Sequence, residues 1–303
     1  MTRWALLGAV AGALFTLVLF APAAWLAGAV ASATDQRLLL ADARGTVWNG
    51  NAVLVLTGGA GSRDASALPD RLHWRLRPEG LGLGMRATQP CCLNGELRLR
   101  LAAGIGRVHI ELPGEAAAAG AGAGTGTGTG PGPGPGPGPG PGTGTGTGTG
   151  AGLAVSRSLG QVPASWLVGL GTPWNTLQPS GTLQLSSPGL VLEQVQGRWR
   201  FSGRVELTLA TLASRLSTLD SLGSYRLTLS SDAAPGEAAQ LQLLTTEGAL
   251  QLSGSGQLLG AGAASRLRFR GQASAAAGFE AALGNLLNII GRRQGAVSVI
   301  SIG

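Results

Sequence analysis

Leu72, Trp74 and Leu76 alternate with Arg71, His73, Arg75 and Arg77 between Asp70 and Pro78, and this period of two recurs along most of the chain. Successive side chains of an extended strand point to opposite faces, so each such segment offers one dry face and one wet one. Gly95 to Ala102 sets Leu97, Leu99 and Leu101 against Glu96, Arg98 and Arg100. Gly106 to Leu112 repeats the pattern with Val108, Ile110 and Leu112. In Gly197 to Ala210, Trp199, Phe201, Gly203, Val205, Leu207 and Leu209 share one side, while Arg198, Arg200, Arg204, Glu206 and Thr208 share the other. Gly203 is expected to mark a bend or bulge there. Segments around Leu183, Leu227, Leu241, Leu252 and Leu267 continue the series, with Gly, Ser, Asp and Asn between them. Short strands at such spacing make an all-β body, mostly antiparallel, with one face buried.

The stretch RGTVWNG, Arg44 to Gly50, reads as the tip of the first hairpin. Asn49-Gly50 is expected to supply the positive φ values of the turn, with residues 51–58 as the returning strand. Trp48 is then a core or edge anchor. Two short helices are expected to interrupt the strands. VPASWLVGL places Pro163 in a first turn, where proline is accepted. FEAALGNLLNIIGRRQG carries an apolar stripe through Ala282, Leu286, Ile289 and Ile290, with Leu283 and Leu287 at its edge, Arg292 and Arg293 in the last turn and Gly295 as a stop. The chain then closes on AVSVISIG, read as a last strand.

Arg3 to Val30 holds no charge after Arg3 and exceeds the roughly 20 apolar residues of a membrane crossing. Trp4 and Trp25 lie near its ends, as in aromatic belts. A cleaved signal peptide is the competing reading, since Ala31-Ser32-Ala33 fits a small-residue cleavage site; the apolar stretch is about twice an ordinary h-region. A retained anchor over residues 1–33 is favoured. Arg3 keeps the N-terminus cytoplasmic and puts the rest of the chain on the periplasmic side.

Composition removes several other classes. All 22 basic residues are Arg, and the formal charge is +7. A nucleic-acid surface would gather arginines with aromatics in a stripe, whereas here they alternate with leucines, so no nucleic-acid partner is expected. Residues 120–152 are Gly with Thr, Pro and Ala, which bury nothing and therefore read as disordered. As a flexible linker this stretch would span roughly 30 Å. A phosphate-binding loop there is excluded, because no Lys and no flanking strand and helix are present. This divides the chain into the anchor 1–33, a first strand-rich half 34–114, a low-complexity insertion 115–152 and a second half 153–303.

No catalytic, cofactor-binding or metal-ligating residues are expected. His73 and His109 stand alone, and no nucleophile motif or carboxylate cluster occurs. Asp35, Asp42, Asp64, Asp70, Asp220 and Asp232 fall mostly at apparent turns, and Glu96 and Glu206 lie between arginines, where cross-strand charge pairing explains them. Cys91 and Cys92 are adjacent. A disulfide between neighbours lies outside the usual Cα spacing, so they read as two small residues at a turn after Pro90.

These stretches together resemble type II secretion system protein N, the general secretion pathway inner-membrane family. The residues that carry the resemblance are Trp25-Leu26-Ala27, RGTVWNG, LHWRLRP (Leu72 to Pro78), PSGTLQL (Pro179 to Leu185) and GRWRFSGRVELTL. LGSYRLTLSS (Leu222 to Ser231), EGALQLSGSGQL (Glu247 to Leu258) and the ending Leu283 to Gly303 complete the set. The resemblance leaves out roughly Glu115 to Gly152 and Cys91-Cys92. It implies a non-enzymatic, single-pass inner-membrane component that takes part in export of folded proteins across the outer membrane. Its partners would be other inner-membrane components of that system, and no cofactor is implied. It also implies an elongated, twisted, AsmA-like periplasmic sheet, and with that the alternative of lipid held in an apolar groove.

Overall fold

The computed structural model describes residues 2–104, 106–114, 156–195, 198–231, 238–259 and 266–303. The alternating segments become strands: β1 (Leu38–Gly45), β2 (Asn49–Thr57), β3 (Ala65–Glu79), β4 (Gly82–Thr88), β5 (Leu97–Gly104) and β6 (Arg107–Leu112) come first. They are followed by β7 (Arg157–Pro163), β8 (Pro179–Val195), β9 (Arg198–Ser214), β10 (Gly223–Ser231) and β11 (Ala239–Glu247). The series ends with β12 (Leu250–Leu259), β13 (Arg266–Ala275), β14 (Arg292–Gln294) and β15 (Val297–Ile302). All belong to one 15-stranded sheet in the order β1-β2-β3-β4-β5-β6-β8-β9-β10-β11-β12-β13-β15-β14, with β7 beside β8. Every pairing is antiparallel.

The two strand-rich halves meet where β6 and β7 share one edge of β8. Leu112 of β6 pairs with Leu190, and Arg157 of β7 pairs with Ser187 on the same strand. The disorder expected of residues 115–152 lies outside the described residues; on either side of it, Leu112 and Arg157 pair with neighbouring points of β8.

Helices pack against the sheet near both ends and at β8. The expected short helix forms as the 3₁₀ helix Ala164–Leu170, with Pro163 ending β7 just before it rather than inside its first turn, and packs on β2, β3 and β8. A single turn, α3 (Trp174–Leu177), comes after it, and α4 (Glu280–Ile290) lies against β13–β15. Burying Leu283, Leu286 and Leu287 against Tyr225, Leu250 and Ala273 makes the larger core. Each fully buried leucine contributes about 1.5–3 kcal/mol.

Several expectations from sequence are corrected. The apolar N-terminal run is not one helix. It divides into α1 (Thr2–Leu19) and α2 (Ala23–Ala33), because Pro22 lacks an amide donor and holds φ −68°, ψ 148°. Among the described residues no helix is long and apolar enough to cross a membrane. Trp25-Leu26-Ala27 belongs to α2, which docks on β1 and β2 with Ala23 buried. The stripe of α4 is also rotated from its expected place: Leu283, Leu286 and Leu287 are buried while Ile289 is exposed. Arg292 and Arg293 are not helical, because Gly291 adopts an extended conformation that starts β14, and Gly295 (φ 64°) turns the β14–β15 hairpin. The bulge expected at Gly203 falls opposite it, between Ser186 and Gly189 of β8, and Gly203 answers it with φ 112°.

Candidate functional site

The joint between α1 and the β1–β2 hairpin is built from RGTVWNG. Its turn differs from the expected one. Gly45 takes the positive φ of 89°, Thr46 N–H donates to the Asn49 carbonyl oxygen (2.9 Å), and Asn49 and Gly50 already lie in β2. Gly50 is required for another reason: a Cβ there would lie 2.6 Å from the Trp74 ring. Trp74 is buried over it, and its Nε1 donates to the Val47 carbonyl oxygen at 3.0 Å. The turn is thereby held from below.

From above it holds α1. Trp48 Nε1 donates to the Val18 carbonyl oxygen at 2.8 Å, and the Val47 amide donates to the Ala21 carbonyl oxygen at 2.8 Å. Carbonyls in the last turn of a helix have no partner further along the helix, so the bond to Val18 ties the end of α1 to the sheet, and the bond to Ala21 ties down the chain just past it. Trp48 is thus the link between two elements as well as an edge of the core around Trp74. α1 itself is apolar on all sides: Leu7, Val10, Phe15, Leu17 and Val18 are all exposed.

Beside this joint the wet face carries a groove of about 360 Å³, lined in part by Asn49, His73, Arg75, Arg77, Arg86 and Glu96. Register explains its chemistry. Asn49 pairs with Arg75, Arg75 with Arg86, and Arg86 with Arg98, so three guanidinium groups stand on adjacent strands in one row. Like charges directly opposite one another are unfavourable. Glu96 relieves part of this, 2.9 Å from Arg98 and 3.5 Å from Arg86.

Other sequence-derived candidates separate. Arg71 first, and Arg44 second, hold the Asp42 carboxyl below the usual carboxylate range. Asp42 and Asp70 occupy strand irregularities with positive φ rather than hairpin turns. Asp64 accepts a bond from Asn175 Nδ2 at 3.3 Å, and Asp232 lies outside the described residues. Glu206 pairs across strands with Arg226 at 3.0 Å, as its position between arginines suggests. His73 faces the groove, whereas His109 Nδ1 stands 3.0 Å from Glu193 Oε1, on the neighbouring strand β8. Among the described residues no three His, Cys, Asp or Glu side chains are grouped to hold a metal ion.

Cys91 and Cys92 form a disulfide, with Cα atoms 3.7 Å apart, which corrects the reading of two unlinked turn residues. The physical reason is the Gln89–Leu93 turn, which curls the chain out of the strand geometry that would send neighbouring side chains to opposite faces. This loop carries β7: Gln161 N–H donates to the Cys92 carbonyl oxygen (2.8 Å), and Asn94 N–H donates to that of Leu159 (3.1 Å). The disulfide, the α1 joint and the arginine row escape sequence reading because each depends on which segments become neighbours.

The family model for type II secretion system (T2SS), protein N, matches residues 36–300, and the chain belongs to that family. No curated protein and no solved structure matches it.

Proposed function

We propose that this component of the type II secretion system works without catalysis, as a rigid β scaffold held at the inner membrane with its sheet in the periplasm. Family membership supports the system. The observation that carries the mechanism is the tie of α1 to the sheet through Trp48 and Val47. A helix apolar all round needs an apolar surrounding, which lipid supplies. Its pinned end then fixes the sheet to the membrane surface, where tryptophan is at home. From there the periplasmic sheet is available to the other inner-membrane components during export of folded proteins. Two results test this. The chain should stay in the membrane fraction after alkaline extraction, and its deletion in a secreting host should cut release of folded substrates. Release into the soluble fraction overturns the membrane hold, and intact secretion overturns the role.

A second reading has its own observation. The helices pack on β1–β3, on β8 and on β13–β15, while Leu99, Leu101, Ile110, Leu192 and Phe201 remain half-buried on adjoining strands. An acyl chain would cover that strip. Native mass spectrometry of the extracted chain finding no bound lipid argues against it.

A further inference from the structure

The arginine row belongs to the same end of the sheet as the α1 joint. Asn49 starts β2 immediately after Trp48, and Arg75, Arg86 and Arg98 continue sideways from it on β3, β4 and β5. Two residues further along the strands, past the joint, come Arg77 and Arg100, both aligned with Gly84 of β4. The β3–β4 hairpin extends beyond them and ends in Leu81, which is fully exposed. An exposed leucine at the tip of a hairpin, with arginines set behind it, matches the order of a membrane surface: apolar first, then phosphate.

The balance of charge at this end is positive. Glu79, Glu96 and Glu111 lie among these five arginines, and Glu193 is engaged by His109 further along β8. Among the described residues Arg75, Arg77 and Arg100 make no ion pair, and all three are exposed. Guanidinium groups at strand spacing, about 5 Å apart, can share the oxygens of phosphate groups by paired hydrogen bonds. Glu96 touches two members of the row and leaves the third, next to the joint, without a carboxylate.

We infer that this end of the wet face is a docking surface for the phosphate groups of anionic phospholipids, with Leu81 entering the lipid beside them. The inference rests on the proposed residence of α1 in the membrane, since that places Asn49 and Arg75 at headgroup depth. It gives the first six strands a second hold on the bilayer. One helix alone leaves a body free to rotate about it; α1 and an arginine surface together set the tilt of the sheet.

The test uses the full chain extracted in mild detergent and titrated with phosphatidylglycerol or phosphatidylcholine, read by native mass spectrometry. The natural chain should retain phosphatidylglycerol in preference to phosphatidylcholine. Arg75→Gln/Arg77→Gln/Arg100→Gln should reduce that preference roughly tenfold or more, since each basic group near a surface adds about a factor of five. Glu96→Gln, which releases Arg86 and Arg98, should raise it, a gain that an unfolded protein would not show. Equal retention of the two lipids by the natural chain, or the same preference in the triple variant, overturns the inference. So does loss of the preference on adding millimolar inorganic phosphate, which would mark a site for the free anion. Alkaline extraction separates the two levels. A chain that leaves the membrane refutes the placement of α1, whereas one that stays but shows no lipid preference refutes the arginine surface alone.

Discussion

Under α2 the dry face of β1–β3 closes around Trp74, with Leu40 and Leu76 buried beside it, Trp48 at the edge, and the small Ala23 and Ala52 where α2 meets the sheet. Under α4 the dry face of β10–β13 closes on Leu283, Leu286 and Leu287 packed against Tyr225 and Leu250. Small residues let the α2 backbone approach the sheet closely, and a helix held close transmits position. In the α4 core it is the helix itself that contributes leucines, Leu283, Leu286 and Leu287, with bulk in place of proximity. The wet faces differ in the same sense. Where the first half sets Arg75, Arg86 and Arg98 in a row, the second sets Thr228, Gln242 and Ser255 before reaching Arg270. One strand pattern therefore supports two arrangements: an arginine row across β3–β5 next to the tie to α1, and a row of uncharged positions across β10–β12 with arginines beyond it on β13 and β14.

The strongest challenge to this contrast is to damage each core in turn. Trp74→Ala should cost about 3–5 kcal/mol and Leu286→Ala about 2–5 kcal/mol, both measured by denaturant unfolding. Because β6 pairs with β8 without interruption, both variants should lower one shared transition. Two transitions, each moved by only one of the variants, would show that the halves fold separately. Next in size is crowding at the glycines. A Cβ on Gly50 would meet the Trp74 ring, and one on Gly254 would meet the ring of Phe269. Gly50→Ala and Gly254→Ala should each cost about 1–3 kcal/mol in the same assay. Only Gly50→Ala should also loosen the tie to α1, read as faster hydrogen exchange at the Val47 amide.

A smaller effect separates the cores by pH. Tyr225 is the single tyrosine, its hydroxyl donates to the Leu250 carbonyl oxygen at 3.0 Å, and burial raises its pKa well above the ordinary value. A raised folded value means that this stabilisation is complete below the unfolded pKa of about 10 and is lost as pH climbs past it. The unfolding midpoint should therefore fall above about pH 10, and tyrosinate absorbance should appear only with unfolding. Tyr225→Phe should cost about 1–2 kcal/mol at neutral pH and flatten the alkaline fall. Tyrosinate absorbance at pH 10 to 11 in the folded chain would show that the core is open to water there. The least effect belongs to the insertion. Removing residues 115–152 should cost less than about 1 kcal/mol, because the flanking Leu112 and Arg157 pair with nearby points of β8. A larger loss would give the segment a structural part.

Most of the sheet was legible from residue order. Leu72, Trp74 and Leu76 fall on the dry face, Glu206 pairs with an arginine, and AVSVISIG contains β15, because period two is a local property that pairing does not alter. The errors share a cause as well. Asn49-Gly50 carries a strong turn signal, yet the turn moved back to Gly45 because Trp74 needed the space above Gly50. Arg292 and Arg293 suit a helix end, but pairing with β15 drew them into β14. The site was the least legible part. Each arginine could be placed on a wet face, but the row they form requires the register of three strands at once.

Residue order alone thus settled that this chain makes strands with one apolar face, and its family motifs placed it in the secretion system. Side-chain alternation and turn residues act over a few positions, so they survive in one dimension. Folding in three dimensions settled the division of the apolar run at Pro22, the joining of Cys91 to Cys92 and the bond from Trp48 to Val18. It also set Arg75, Arg86 and Arg98 side by side beyond the joint. These are contacts between segments whose meeting depends on the free energy of the whole sheet, a sum that no single stretch of sequence contains.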